Sequence, residues 1–265
     1  MEAEGLRQVE KYALRKQRVY QKDWKMYILR AMLASMFIGF GVIVAFKTGN
    51  YFYIADSPAA YPMAALTFGA AIILIAYGGA DLFTGNTFYF TYAALKKKME
   101  WKTVYKLWGL TYAGNLLGAL VFAFLIDVTN LYASPSVNSF LLNVVEHKLD
   151  ATVVELFFRA ILCNWLVCLA FFVPMFMKEN GAKLFAMVLF VFCFFISGYE
   201  HSIANMCTFA IALVLDHSET ITIGAILHNL IPVTIGNMVG GVFMMGYFYY
   251  YINKPFEDEE EEIKH

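Results

Sequence analysis

The sequence predicts an all-α integral membrane protein, with six transmembrane helices in two inverted three-helix repeats and two of the helices broken. Three observations support this: the ratio of apolar to charged residues, six apolar segments of membrane-spanning length, and a motif that recurs in each half. Of the 265 residues, 60% are hydrophobic and 15% charged, with a mean hydropathy of +0.57. Soluble domains run about 45–50% apolar and about 25% charged, so a soluble fold of this size has too little polar surface to cover itself. The net charge of −1 gives no reason to expect nucleic acid as a partner. Lipid is the expected surroundings.

A span needs about 20 apolar residues. Six windows qualify: 27–47, 62–95, 104–125, 152–176, 182–214 and 223–252. The second, fifth and sixth are longer than one straight crossing, which points to breaks, tilts or ends beyond the bilayer. Residues 1–26 are charged and helical in composition; they read as an amphipathic helix on the membrane surface rather than a leader peptide. Residues 27–252 form the membrane domain, with repeats at about 27–130 and 131–252. The tail, 253–265, carries six consecutive acids and is expected to be solvated.

Charge orients the spans. Seventeen of the twenty Lys and Arg residues fall in the N-terminal segment through Arg30, in the 96–106 and 178–183 turns, or in the tail. The alternate loops hold only Lys47 and Lys148, and Arg159 lies within the fourth span. Positive loops stay cytoplasmic, so both termini are placed there. The four cysteines, Cys163, Cys168, Cys193 and Cys207, sit in apolar runs without C-x-x-C spacing. They read as packing residues, with no metal site and no cofactor implied.

The repeat is the most specific signal. Gly79-Ala80-Asp81-Leu82-Phe83-Thr84-Gly85-Asn86, midway along the second span, matches Gly198-Tyr199-Glu200-His201-Ser202-Ile203-Ala204-Asn205, midway along the fifth. Asn115-Leu116-Leu117-Gly118 in the third span matches Asn237-Met238-Val239-Gly240 in the sixth. Two copies of a unit with an odd number of spans lie in opposite orientation. Glycines and polar groups at membrane depth are tolerated where the backbone is buried in protein or lines a cavity. The alternative is a pair of kinked packing helices. After each break a half-helix starts near the midplane, so both N-termini aim at the centre. Such ends favour an anion without a fixed cation.

With these motifs, and with Cys163-Asn164-Trp165-Leu166-Val167-Cys168-Leu169-Ala170 and Asn229-Leu230-Ile231-Pro232-Val233-Thr234-Ile235-Gly236-Asn237, the chain resembles the formate/nitrite transporter family. The resemblance implies an aquaporin-like fold, a homopentamer with one pore per subunit, and passage of small monovalent anions across the bacterial inner membrane. By motif it implies His201 as the central pore histidine and Thr84 as the threonine opposite it. It implies Leu82 and Phe83 at a cytoplasmic constriction and Phe194 with Phe68 at an outer one. Asn164 is implied as the polar residue of the fourth span, and Lys148 as a lysine at the outer mouth. Many formate channels follow the Asn205-Met206 position with an aromatic pair and a proline. Here Cys207-Thr208-Phe209-Ala210-Ile211-Ala212 has no proline, and the chain is similar instead to the hydrosulfide branch, with formate and nitrite the other candidate anions.

His201 is the one histidine deep in a span. Intramembrane ionisable groups tend to mark pathways, so it is expected to give the anion a hydrogen bond or a proton, against a packing role for a lone buried histidine. Thr84 is a pore donor or a helix cap. Asp81 and Glu200 are expected to be structural, accepting backbone N–H groups near the breaks. Asn86 and Asn205, with Asn115 and Asn237, are expected to satisfy freed backbone groups there. Glu155 and Arg159, four apart, suit a helix salt bridge. Rival functions fit less well. An aquaporin-type channel for neutral solutes would show two Asn-Pro-Ala motifs, and neither occurs. An intramembrane enzyme would need a nucleophile or an H-e-x-x-H-type metal motif beside His201. A proton-coupled weak-acid carrier shares the same fold and stays open.

Overall fold

A computed structural model describes residues 2–254. Helix α1 (Glu2–Lys22) precedes α2 (Trp24–Tyr53), the first span. The second span is α3 (Ala60–Phe68) and α4 (Ala70–Tyr77), then a break and α5 (Phe83–Leu95). The third span is α6 (Trp101–Thr129). Helix α7 (Pro135–Leu149) leads into the fourth span, α8 (Val153–Phe172), which tightens into a 3₁₀ turn at Val173–Phe176. The fifth span is α9 (Asn180–Ile196), a break, and α10 (Ser202–Val214). The sixth begins with α11 (Ile223–Val239) and runs on as helix to Lys254. Five of these segments are long and apolar enough to cross a membrane unaided. The sixth crossing is α9 with α10, each too short alone. The acidic run lies outside the described residues.

Local sequence explains the boundaries. Asp23 caps α2 by accepting the Lys25 N–H. Thr152 and Glu155 form a reciprocal capping box that starts α8. Glycine is needed once in each break: Gly79 has φ +73° and Gly198 φ +69°, where a side chain would be strained. In α11 Pro232 is tolerated within a buried span. From Gly240 to Tyr247 the last span widens into a π-helix. There Gly241 lies against Thr87 of α5, and a Cβ on it would overlap the Thr87 hydroxyl.

The repeat predicted from motifs is present in the packing. Helix α2 packs on α6, and α8 packs on α11 in the same way. Two features go beyond the sequence reading. Helix α1 is not merely a surface helix: Leu6, Val9 and Ala13 are fully buried, and it packs on α5, α2 and the 3₁₀ turn. Helix α7, in a stretch read as a loop, occupies the corresponding place in the second repeat and packs on α2, α10 and α11. Exposed apolar residues such as Phe124, Val128, Phe158 and Phe185 form the remaining outer surface, as expected for a chain solvated by lipid.

Candidate functional site

The two breaks are held by matching bonds. Asn115 Oδ1 accepts the Phe83 N–H at 3.0 Å, and its amide donates to the carbonyls of Ala31 (2.6 Å) and Asp81 (3.1 Å). Asn237 Oδ1 accepts the Ser202 N–H at 2.8 Å, and its amide donates to Ala160 (2.8 Å) and Glu200 (2.9 Å). The acid's own N–H donates to Arg30 O in one repeat and to Arg159 O in the other. Asn115 and Asn237 thus satisfy freed backbone groups, as expected. Each does so inside the protein, where an unmet polar group costs several kcal/mol.

Asn86 and Asn205 do something else. Asn86 Oδ1 accepts from Lys16 Nζ at 2.6 Å, and its amide donates to Thr111 Oγ1 at 3.2 Å. The Asn205 amide donates to Glu200 Oε2 at 2.5 Å and Asn229 Oδ1 at 2.9 Å. Their side chains bond other side chains, which corrects the expectation that they serve the backbone. The acids are likewise bonded to cations and not to backbone N–H groups. Asp81, fully buried, meets Lys16 Nζ and Arg30 Nε at 2.7 Å each. Glu200 meets Lys148 Nζ at 2.9 Å. Sequence periodicity did not reveal these partners, because Lys16 and Lys148 lie on α1 and α7, outside the spans. Glu155 and Arg159 do pair, at 3.1 Å.

The centre joins the two repeats. His201, the N-cap of α10, accepts the Ala204 N–H on ring Nδ1 at 3.0 Å. A backbone amide only donates, so the neutral ring carries its hydrogen on Nε2. Nε2 lies 2.9 Å from Thr84 Oγ1 and donates to it. The Thr84 hydroxyl hydrogen is then available to a third group. Thr84 is held in turn: its carbonyl accepts from Thr87 Oγ1 at 2.6 Å and from the Asn164 amide at 3.3 Å. That amide also reaches Asn237 O at 2.6 Å.

Three cavities are linked by shared lining residues, and His201 lines two of them. A cavity of about 330 Å³ on the α1 side is lined by Arg15, Lys16, Arg30 and Lys183, with Leu82 at its inner end. A central one of about 20 Å³ lies among Leu82, Phe68, Phe194, His201, Ile72 and Val167. A third, of about 30 Å³ on the α7 side, includes Phe68, Phe194, Lys148, Tyr61 and His201. Leu82 borders the first and second; Phe68, Phe194 and His201 border the second and third. The Phe68 and Phe194 rings meet edge to face at 6.1 Å, and Phe194 stacks on His201 at 6.0 Å. By volume the central cavity holds about one water.

Three residues grouped with the pathway by resemblance, Phe83, Asn164 and Thr84, line none of these cavities, Thr84 adjoining them through its bond to His201. Phe83 packs edge to face on Tyr112 at 5.1 Å and lines none of the three cavities. Of Leu82 and Phe83, Leu82 alone borders the cavities, because Leu82 is the extended N-cap and Phe83 is already turned into α5. Asn164 also lines none of them; its role is to tie α8 to α5 and α11. Among the described residues no three His, Cys, Asp or Glu side chains are placed to hold a metal.

Known proteins share this fold. The formate/nitrite transporter family model matches residues 3–251. The uncharacterized transporter YwcJ of Bacillus subtilis (strain 168) is 60% identical over 253 residues, covering 96% of this chain and 99% of that protein. Among solved structures, an FNT family ion channel superposes with a TM-score of 0.89 at 32% identity, covering 94% of this chain and 99% of the other. A pentameric formate channel with formate bound superposes with a TM-score of 0.73 at 26% identity, covering 89% and 98%.

Proposed function

We infer, because the chain belongs to the formate/nitrite transporter family, that each subunit of a homopentamer passes small monovalent anions through its own pore. It is a membrane transport protein and not an enzyme. The observation that carries this reading is the row of three cavities, closed by Leu82 on one side and by Phe68 with Phe194 on the other, with His201, bonded to Thr84, between. The pentameric formate channel supports the assembly. The charge asymmetry of the loops supports an inner-membrane protein with its α1 face in the cytoplasm.

Dewetted apolar constrictions oppose a hydrated ion. Between them His201 and Thr84 supply the compensating donor. The histidine gives its Nε2–H to Thr84, and the threonine hydroxyl gives its hydrogen to the anion. With Nδ1 committed to the α10 cap, the histidine acts by hydrogen bonding; taking up a second proton would cost α10 its cap. Lys148, set against Glu200 at the outer cavity, draws the anion to the mouth. Asp81 and Glu200 hold these cations in place.

Among the candidate anions we favour hydrosulfide. Its charge sits on one heavy atom, which suits a single donor and a chamber the size of one water. The direct test is flux of hydrosulfide, formate and nitrite into proteoliposomes across pH, with His201→Ala in parallel. Hydrosulfide flux that weakens in the variant is the expected result. Flux of the other anions without hydrosulfide would overturn the branch and leave the family. No anion flux from an intact pentamer would return the neutral-solute channel to contention.

A further inference from the structure

The two vestibules differ in a way that a small-anion pathway does not need. The α7-side cavity is about 30 Å³, and its lysine is matched by Glu200. The α1-side cavity is about 330 Å³, within the lower range of small-molecule sites. Four cations line it from three elements: Arg15 and Lys16 of α1, Arg30 of α2 and Lys183 of α9. Among the described residues Asp81 is the single carboxylate bonded to them, shared by Lys16 and Arg30. Arg15 and Lys183 have no acidic partner among the described residues. The rest of the wall includes Gln8, Tyr12, Tyr77 and Tyr89, hydrogen-bonding and aromatic.

We propose that this antechamber binds a polyvalent phosphate-type anion, which closes the pore from the α1 face. Cations on separate helices suit a ligand with several charged oxygens. Arginine forks match phosphate in two-point contact. Such a ligand enters the wide cavity but stops at Leu82, because the chamber beyond holds about one water and a second charge multiplies the cost of dehydration. It therefore blocks where a monovalent anion passes. The blocking part rests on the anion-channel reading; the binding part does not.

The test is pyrophosphate binding to the detergent-solubilised full chain, by calorimetry at low ionic strength, since screening weakens surface charge. Saturable binding near one per subunit is expected. Arg15→Ala with Lys183→Ala should weaken it by about tenfold or more, the loss of two charge-assisted contacts. Both side chains are partly or well exposed, so the fold should survive, and Lys102→Ala serves as a charge-loss control outside the cavity. In oriented proteoliposomes, pyrophosphate on the α1 face should inhibit anion flux and pyrophosphate on the other face should not. No saturable binding, or equal binding by the double variant, would overturn the site. Binding without block in a conducting channel would overturn the closure. A chain that binds pyrophosphate yet passes no anion would support the site while sinking the conduction reading.

Discussion

The break before α5 and the break before α10 are built on the same frame and finished differently. Each has a glycine at positive φ, a buried acid that donates its N–H to a neighbouring span, and an asparagine from the third span of its repeat holding the N–H two residues after the acid. Each acid meets a lysine from the amphipathic helix that opens its repeat, Lys16 from α1 and Lys148 from α7. They diverge at the N-cap. Leu82 caps nothing with its side chain, while His201 accepts the Ala204 N–H. The groups that hold backbone are duplicated, and the position facing the path is not. One copy places an apolar side chain at the shared edge of two cavities, and its partner places a polar ring in the chamber behind it.

The largest expected effect lies in the acids. Glu200 has one cation and Asp81 has two, so Lys148→Met should cost about 3–5 kcal/mol, the usual result of stranding a buried charge. Lys16→Met should cost clearly less, since Arg30 remains. Thermal unfolding of the solubilised protein would check both, and equal losses would break the comparison. Next come the asparagines. Asn115→Leu and Asn237→Leu should each cost about 1–3 kcal/mol for the orphaned N–H. If one were harmless in the same assay, the two frames would not be equivalent.

Exchanging the caps sharpens the functional contrast. His201→Leu should lower anion flux by about 10- to 100-fold, because without the histidine's Nε2–H the Thr84 hydroxyl is no longer held to donate to the anion, and one good charged hydrogen bond is lost. It should leave assembly intact on gel filtration. Leu82→His should instead wet the gate and raise flux from the α1 side. Unchanged flux in both would remove the N-cap position from the pathway.

The smallest effect concerns the outer end of α1. Arg7 and Gln8 bond the Glu4 carboxylate and hold its pKa below the ordinary value. A depressed pKa means the contribution is present above the unfolded value and is lost as pH falls through the folded one. Acidification should therefore fray only the first turn of α1, read as faster amide exchange there. Loosening of the whole helix would mean that Lys16 does not anchor it.

Much of this was legible in the chain. Composition and window length located the spans, and the recurring glycine, acid and asparagine located both breaks and their inversion. The resemblance grouped Leu82, Phe68, Phe194, Thr84 and His201; the cavities share four of them, and Thr84 joins only through its bond to His201. Phe83, one residue along, was misplaced because a break gives adjacent residues unrelated directions. The partners of Asp81 and Glu200 were missed for a related reason. Local spacing reveals pairs within a helix, such as Glu155 with Arg159, but Lys16 and Asp81 meet across 65 positions of chain.

By itself the sequence determined the solvent, the number of crossings and the doubled, inverted plan, because hydropathy, charge bias and motif repetition are properties read along the chain. Only the tertiary structure decided which polar groups hold backbone and which hold charge. It also decided that α1 and α7 reach into the breaks, and that one vestibule is wide with four cations while the other is narrow with one lysine, paired to Glu200. Those outcomes depend on which side chains meet in three dimensions, and in a dry interior each buried polar group must take whichever partner the packing brings within reach.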